Sequence, residues 1–176
     1  MVAGLIVFDH AGLLGSTGND WARFDQQTFP VVEIISGDEI IVRSGHDDIP
    51  VRLLSIDAPD AGLIGNAEAV AYTRERLKDR SVTLRLEPTQ TRDASRALLA
   101  YVYLTDSDDL NLDLIHDGMA YADRRVKHTL AGLFEQREAE ARKKFRGLWN
   151  GLRTEDMPAW RQAWLKALIA ERTDGR

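Results

Sequence analysis

Between Phe29 and Asp60 the chain stays apolar and β-branched in short stretches and breaks at tight turns between them. This rhythm constrains the fold more than any other feature of the sequence. Residues 29–35 form one such stretch, broken by Ser36-Gly37-Asp38, a turn signal. Residues 39–43 resume the pattern, and Gly45-His46-Asp47-Asp48 turns the chain again. Residues 50–56 form a third stretch, ended by Asp57-Ala58-Pro59-Asp60. Three short strands joined this way make a meander, the opening of a small barrel or sandwich.

Further along, the periodicity changes. Asn66 is a plausible N-cap for a helix over 67–79, whose less polar positions are Val70, Ala71 and Leu77. Residues 81–86 alternate, with Val82, Leu84 and Leu86 inward and Thr83 and Arg85 outward. Residues 98–104 read as a fifth strand, 110–116 as a short helix closed by Gly118, and 130–145 as an amphipathic helix ended by Gly147. A last helix spans 158–171 and opens on Pro158, where a missing N–H costs nothing. Its Trp160, Trp164, Leu165, Leu168 and Ile169 lie on one face, which reads as a docking stripe, with a partner-binding surface as the alternative. The pattern predicts an α+β chain: a five-stranded OB-type Greek-key β-barrel with about three packed helices and a C-terminal helical extension. The expected division is an N-terminal extension over 1–28, the barrel domain over 29–149, and the helical extension over 150–176.

A chain of 176 residues is long enough for one domain with a sizeable core. It contains no cysteine, which excludes a disulfide framework and a Cys-ligated zinc site. Its formal net charge of −5 lacks the basic surplus of a protein that tracks a nucleic-acid backbone. Any action on nucleic acid must therefore run through a small local site. The apolar run Val2 to Phe8 is too short to span a bilayer and lacks a basic leader. It reads as an N-terminal strand or as the tail of an anchor lying upstream. The histidines His10, His46, His116 and His128 show no metal-ligand spacing, and neither a phosphate-binding glycine motif nor a nucleophile-elbow serine is present.

Six segments, in order, resemble the staphylococcal nuclease (thermonuclease) family. Ile35-Ser36-Gly37-Asp38 resembles its Asp-Gly-Asp-Thr turn, and Val51 to Asp60 its Arg-Leu-x-x-Val-Asp-Thr-Pro-Glu segment. Gly65 to Ala69 resembles the Gly-x-x-Glu-Ala start of its first helix, and Leu99 to Tyr103 the strand after its second arginine. Leu114 to Ala120 is similar to Leu-Val-x-x-Gly-Leu-Ala, and Glu138 to Trp149 to the closing Glu-Ala-x-Ala helix with its final Trp. The resemblance covers residues 29–149.

The resemblance implies a metal-dependent phosphodiesterase acting on DNA or RNA, with calcium (Ca2+) between carboxylates and the scissile phosphate. The physical need is clear: a phosphodiester repels anionic nucleophiles, so cations must neutralise charge that builds in the transition state. By position, Asp38 and Asp57 match the metal ligands, Arg52 the first phosphate-gripping arginine, and Asp60 the glutamate that acts on water. Asp60 is one methylene shorter than that glutamate, and Ala58 replaces a threonine. The largest departure follows Asp93. The family pattern Asp-x-Tyr-Gly-Arg-x-Leu-Ala-Tyr reads here Asp93-Ala94-Ser95-Arg96-Ala97-Leu98-Leu99-Ala100-Tyr101. Arg96 thus falls on the glycine and Ala97 on the arginine. Either the second clamp is absent, or a bulge carries Arg96 into its place. These departures and the acidic charge keep an alternative open: a degenerate barrel that binds nucleotide, nucleic acid or protein without cleaving it. The family includes secreted and anchored proteins, so the resemblance tilts the expected setting toward extracytoplasmic.

Overall fold

The structure, a computed structural model, describes residues 19–88 and 90–174, with side chains through Glu171. The apolar run at 2–8 and His10 lie outside the described residues. Helix α1 (Asp20–Phe24) leads into strands β1 (Gln27–Ile34), β2 (Glu39–Ser44), β3 (Asp47–Leu53) and the two-residue β4 (Ile56–Asp57). Helix α2 (Asn66–Leu77) precedes β5 (Ser81–Arg85), β6 (Leu98–Thr105) and β7 (Asp108–Asp109). Helix α3 (Leu110–His116), β8 (Tyr121–Ala122), α4 (Ala131–Lys143) and α5 (Ala159–Asp174) complete the chain.

The sheet runs in the order β3-β2-β1-β5-β6, and β3 pairs with β6 to close it. The closing pair is parallel and the other four barrel pairs are antiparallel, so the fold is a closed five-stranded OB-type barrel. β1 serves both halves: residues 27–30 pair with β5 and residues 31–34 with β2, with a register shift between Val31 and Glu33. That irregularity lets one strand bend round the barrel. Period-two alternation fills the interior with Ile40, Val42, Val51, Leu53, Val82, Leu84, Leu98, Ala100 and Val102, all buried. The outer face of β6 is buried too, where Tyr101 packs edge-on to Phe134 of α4. Ahead of the barrel strands, Phe24 of α1 is part of the core, tilted against Phe29.

Four details differ from what the sequence predicts. The strand expected over 50–56 stops at Leu53, because Ser55 takes a left-handed backbone (φ 58°) and turns the chain. Asp57 therefore sits on β4, which pairs with β8 instead of continuing the barrel. Buried Asn111 holds this break: its amide accepts from Val102 N (3.0 Å) and donates to Leu54 O (3.0 Å). Replacing Asn111 with leucine should cost about 2–4 kcal/mol, because both backbone groups would be stranded without partners; urea melts would measure it, and a loss below about 1 kcal/mol would contradict this role.

On α2 the buried positions are Ala69, Thr73 and Leu77, whereas Ala71 is exposed. The helix turns Ala69 and Thr73 toward the loop at Gly37, where Thr73 Oγ1 donates to Gly37 O (2.7 Å). A Cβ at Gly37 would lie 2.7 Å from the Ala58 Cβ and 2.8 Å from the Ala69 Cβ, so only glycine permits this approach. Asn66 is the first residue of α2; its amide donates to Pro59 O (2.7 Å) rather than capping the helix. On α5 the buried stripe includes Arg161, while Ile169 is 65% exposed. Arg161 turns inward because it meets Glu138, which is buried on α4.

Candidate active site

Asp38 follows the Gly37 contact directly. Its carbonyl accepts from Leu53 N (2.8 Å), tying the turn to β3 next to Arg52. Its carboxylate is buried, accepts from Ser36 Oγ (2.7 Å), and accepts from Ala58 N (3.3 Å), the peptide that follows Asp57. Burial pushes the Asp38 carboxyl above the usual carboxylate range, although Ser36 and Arg52 oppose the shift. Asp57 is raised as well, first by burial and then by the negative charge of Asp38; Trp160 and Arg125 pull the other way. The structure thus sets two desolvated carboxylates near each other, and the charge of Asp38 raises Asp57.

Arg52 lies beside them, with its side chain 41% exposed. It donates to Glu39 Oε2 (3.4 Å), its cross-strand neighbour, and its Nε lies 3.5 Å from Asp93 Oδ2 without hydrogen-bond alignment. Burial works against its charge, but Asp38, Glu39 and Asp93 together raise its pKa above the ordinary value.

The structure thus brings Asp38, Arg52 and Asp57 together. Asp60 is exposed in the loop after β4, and Arg96 is exposed on the turn before β6. Among the described residues neither side chain forms a hydrogen bond or ion pair. Arg96 has φ 72°, the left-handed backbone that favours glycine, so it occupies the glycine's place in the turn. That conformation strains a non-glycine residue. Arg96→Gly should therefore raise stability by about 0.5–1 kcal/mol in chemical denaturation, and a loss of stability would contradict the reading.

Three further residues lie at this site that the sequence did not assign to it. Arg125, three residues beyond β8, donates to Asp57 Oδ1 (3.3 Å). Asp123 holds Arg125 in a bidentate grip at 2.9 and 2.8 Å. Trp160 of α5 donates from its indole nitrogen to Asp57 Oδ2 (2.9 Å). The basic pair Arg124-Arg125 beside Asp123 is a signal of sorts, but only the folded chain turns it toward Asp57.

Among the described residues, no three His, Cys, Asp or Glu side chains converge to hold a metal by themselves. Asp38 and Asp57 would supply two hard oxygen donors, and calcium takes about six to eight, the rest coming from carbonyls and water. An all-oxygen donor set of two mutually repelling carboxylates fits such an ion.

The closed five-stranded barrel with its packed helices places the chain among OB-type α+β barrel proteins. The staphylococcal nuclease homologue family matches residues 50–151, a span that includes Arg52, Asp57, Asp60, Arg96 and Arg125. A micrococcal nuclease of Shigella flexneri is 33% identical over 153 residues, covering 81% of this chain and 83% of the relative. An uncharacterized endonuclease of Haemophilus influenzae is 28% identical over 139 residues, 78% of this chain and 75% of its own length. A thermonuclease of Staphylococcus hyicus is 27% identical over 133 residues, 72% of this chain and 78% of its own. The chain belongs to the staphylococcal nuclease homologue family.

Proposed function

We propose that this chain is a calcium-dependent phosphodiesterase that hydrolyses DNA or RNA. The observation that carries the reading is the buried Asp38 carboxylate, bonded to the peptide N–H that follows Asp57, with Arg52 alongside. The nuclease names of its relatives support it. Calcium, when bound by Asp38 and Asp57, supplies the concentrated positive charge that offsets charge building on the phosphate. Arg52 grips the phosphate oxygens through its planar fork. Asp60 positions the attacking water and takes its proton as the new P–O bond forms and the leaving oxygen departs. Its short side chain makes this step slow, since a displacement of about 1 Å can cost on the order of a hundredfold. Asp60, without a side-chain partner among the described residues, and Ala97 in the arginine's place favour the alternative of a barrel that binds without cleaving.

Hydrolysis of single-stranded DNA and RNA with calcium chloride, against chelated controls, decides between them. Calcium-dependent cleavage lost in Asp38→Asn supports the phosphodiesterase. Calcium-dependent oligonucleotide binding with no cleavage supports the degenerate barrel.

The two acids also predict a stability profile. A carboxyl whose folded pKa is raised carries a penalty that is full above that pKa and gone below its unfolded value. Without calcium, stability should therefore gain from these two groups as pH falls from neutrality through the carboxylate range. Asp38→Asn should melt higher than wild type at pH 7, and calcium should raise the wild-type melting temperature while leaving the variant's unchanged. Scanning fluorimetry reads both, and a calcium shift of equal size in the variant would exclude Asp38 as a ligand.

A further inference from the structure

The site needs more positive charge than Arg52 supplies. Asp38, Glu39, Asp57, Asp93 and Asp123 crowd around it, and a phosphate must enter against that field. In the parallel β3–β6 pair, Arg52 lies opposite Leu99, and position 97 is the residue just before β6. A methyl group stands there, 1% exposed, on Ala97.

We propose that Arg125 is the second phosphate-holding cation of this site, replacing the arginine missing at position 97. The inference rests on the nuclease reading above. Arg52 stands next to Asp38, and Arg125 stands next to Asp57, so the two guanidiniums bracket the carboxylate pair. Arg125 is held for the task. Asp123 grips its Nε and one terminal nitrogen, and also accepts from the Arg125 backbone N (2.9 Å). The Trp160 ring lies 4.6 Å from the guanidinium carbon, while its indole nitrogen holds Asp57. The remaining terminal nitrogen, Nη1, makes no hydrogen bond among the described residues, and the side chain is 51% exposed. Its two N–H groups are therefore not used by the fold among the described residues, on a guanidinium that Asp123 holds in place. A fixed guanidinium loses little freedom when it takes an anion, which is what a phosphate clamp requires. Helix α5, through Trp160, is thus one wall of the site.

Arg125→Gln keeps hydrogen-bonding reach to Asp123 and removes the charge; Arg125→Lys keeps the charge and removes the fork. Arg43→Ala, which breaks a surface pair with Asp48, controls for lost positive charge. Two measurements apply to the full chain with calcium chloride: turnover of single-stranded DNA, and anisotropy of a labelled phosphorothioate 8-mer. Arg125→Gln should lower turnover about 10²–10³-fold and weaken 8-mer binding about tenfold or more. Arg125→Lys should recover part of the binding and little of the rate. Arg43→Ala should stay within about twofold on both. Thermal melts of the variants confirm that each is folded. Wild-type cleavage with Arg125→Gln unchanged on both readouts overturns the assignment and leaves the nuclease reading standing. If wild type does not cleave, the nuclease reading fails and the 8-mer alone decides: weaker binding by Arg125→Gln supports the assignment, and equal binding overturns it.

Discussion

Arg52→Ala should lower the turnover of single-stranded DNA by about 10³–10⁵-fold, the range that a lost arginine on a transferring phosphoryl group commands. The side chain issues from β3 where its strand partner is Glu39, and the Asp38 turn is bonded to the next residue, Leu53. Its direction is thus fixed by sheet register and not by a loop. The carboxylates of Asp38, Glu39 and Asp93 favour the charged guanidinium. Stability should hardly change. The ion pairs to Glu39 and Asp93, at 3.4 and 3.5 Å, are partly exposed and of the kind that contribute about 0–1 kcal/mol. A large kinetic loss with little thermal loss distinguishes a phosphate grip from a structural arginine. Arg52→Lys should recover little, because a point charge cannot donate in two parallel bonds. If Arg52→Ala keeps turnover within tenfold of wild type, Arg52 is not the clamp.

The barrel was legible in the sequence because short apolar stretches break at tight turns and β5 alternates cleanly. Val82, Leu84 and Leu86 are buried as the alternation requires, and the five pairing strands fall close to the predicted segments. What escaped depends on partners distant in sequence. Nothing between Val51 and Asp60 shows that the strand breaks at Leu53, since the break is held by Asn111 and by pairing with β8. Asp38, Arg52 and Asp57 were named as candidates through family resemblance, and the fold brings them near one another. Arg125 and Trp160 were not, because they come to Asp57 from 68 and 103 residues away. Arg96 shows a middle case: the register placed it on a glycine, and its left-handed backbone is the physical expression of that substitution. The α5 stripe was legible as a docking face, but not that a cation lies in it. Periodicity counts apolar side chains and passes over an arginine buried against an acid.

That arginine carries the largest stability effect expected of any single side chain here. Arg161 and Glu138 are each 1% exposed and meet at 2.6 Å. Among the described residues the Arg161 Nε and Nη1 have no hydrogen-bond partner; Tyr121, Trp149, Trp160 and Trp164 surround the guanidinium, with ring centroids 4.7–5.9 Å away. Aromatic faces stabilise a desolvated cation, but the pair stands only while both charges are present. Arg161→Ala leaves Glu138 with Arg124 (3.3 Å) and Ala122 N (3.0 Å) and opens a cavity among the rings. The expected loss is about 3–5 kcal/mol, or about 6–20 °C in melting temperature for a chain of this size. Replacing both partners, as Arg161→Leu with Glu138→Met, should recover part of that loss, since an apolar pair avoids the buried charge. Full recovery is not expected, because Ala122 N on β8 would lose its acceptor. The same changes reach the site: once α5 undocks, Trp160 leaves Asp57 and the Arg125 guanidinium loses the ring beside it. Truncation after Trp149 should therefore match Arg161→Ala in melting temperature, in greater dye binding to exposed apolar surface, and in reduced single-stranded DNA cleavage. If Arg161→Ala melts within about 2 °C of wild type, the buried pair does not hold α5 in place. If truncation also leaves melting and dye binding unchanged, the tryptophan stripe is free to serve a partner.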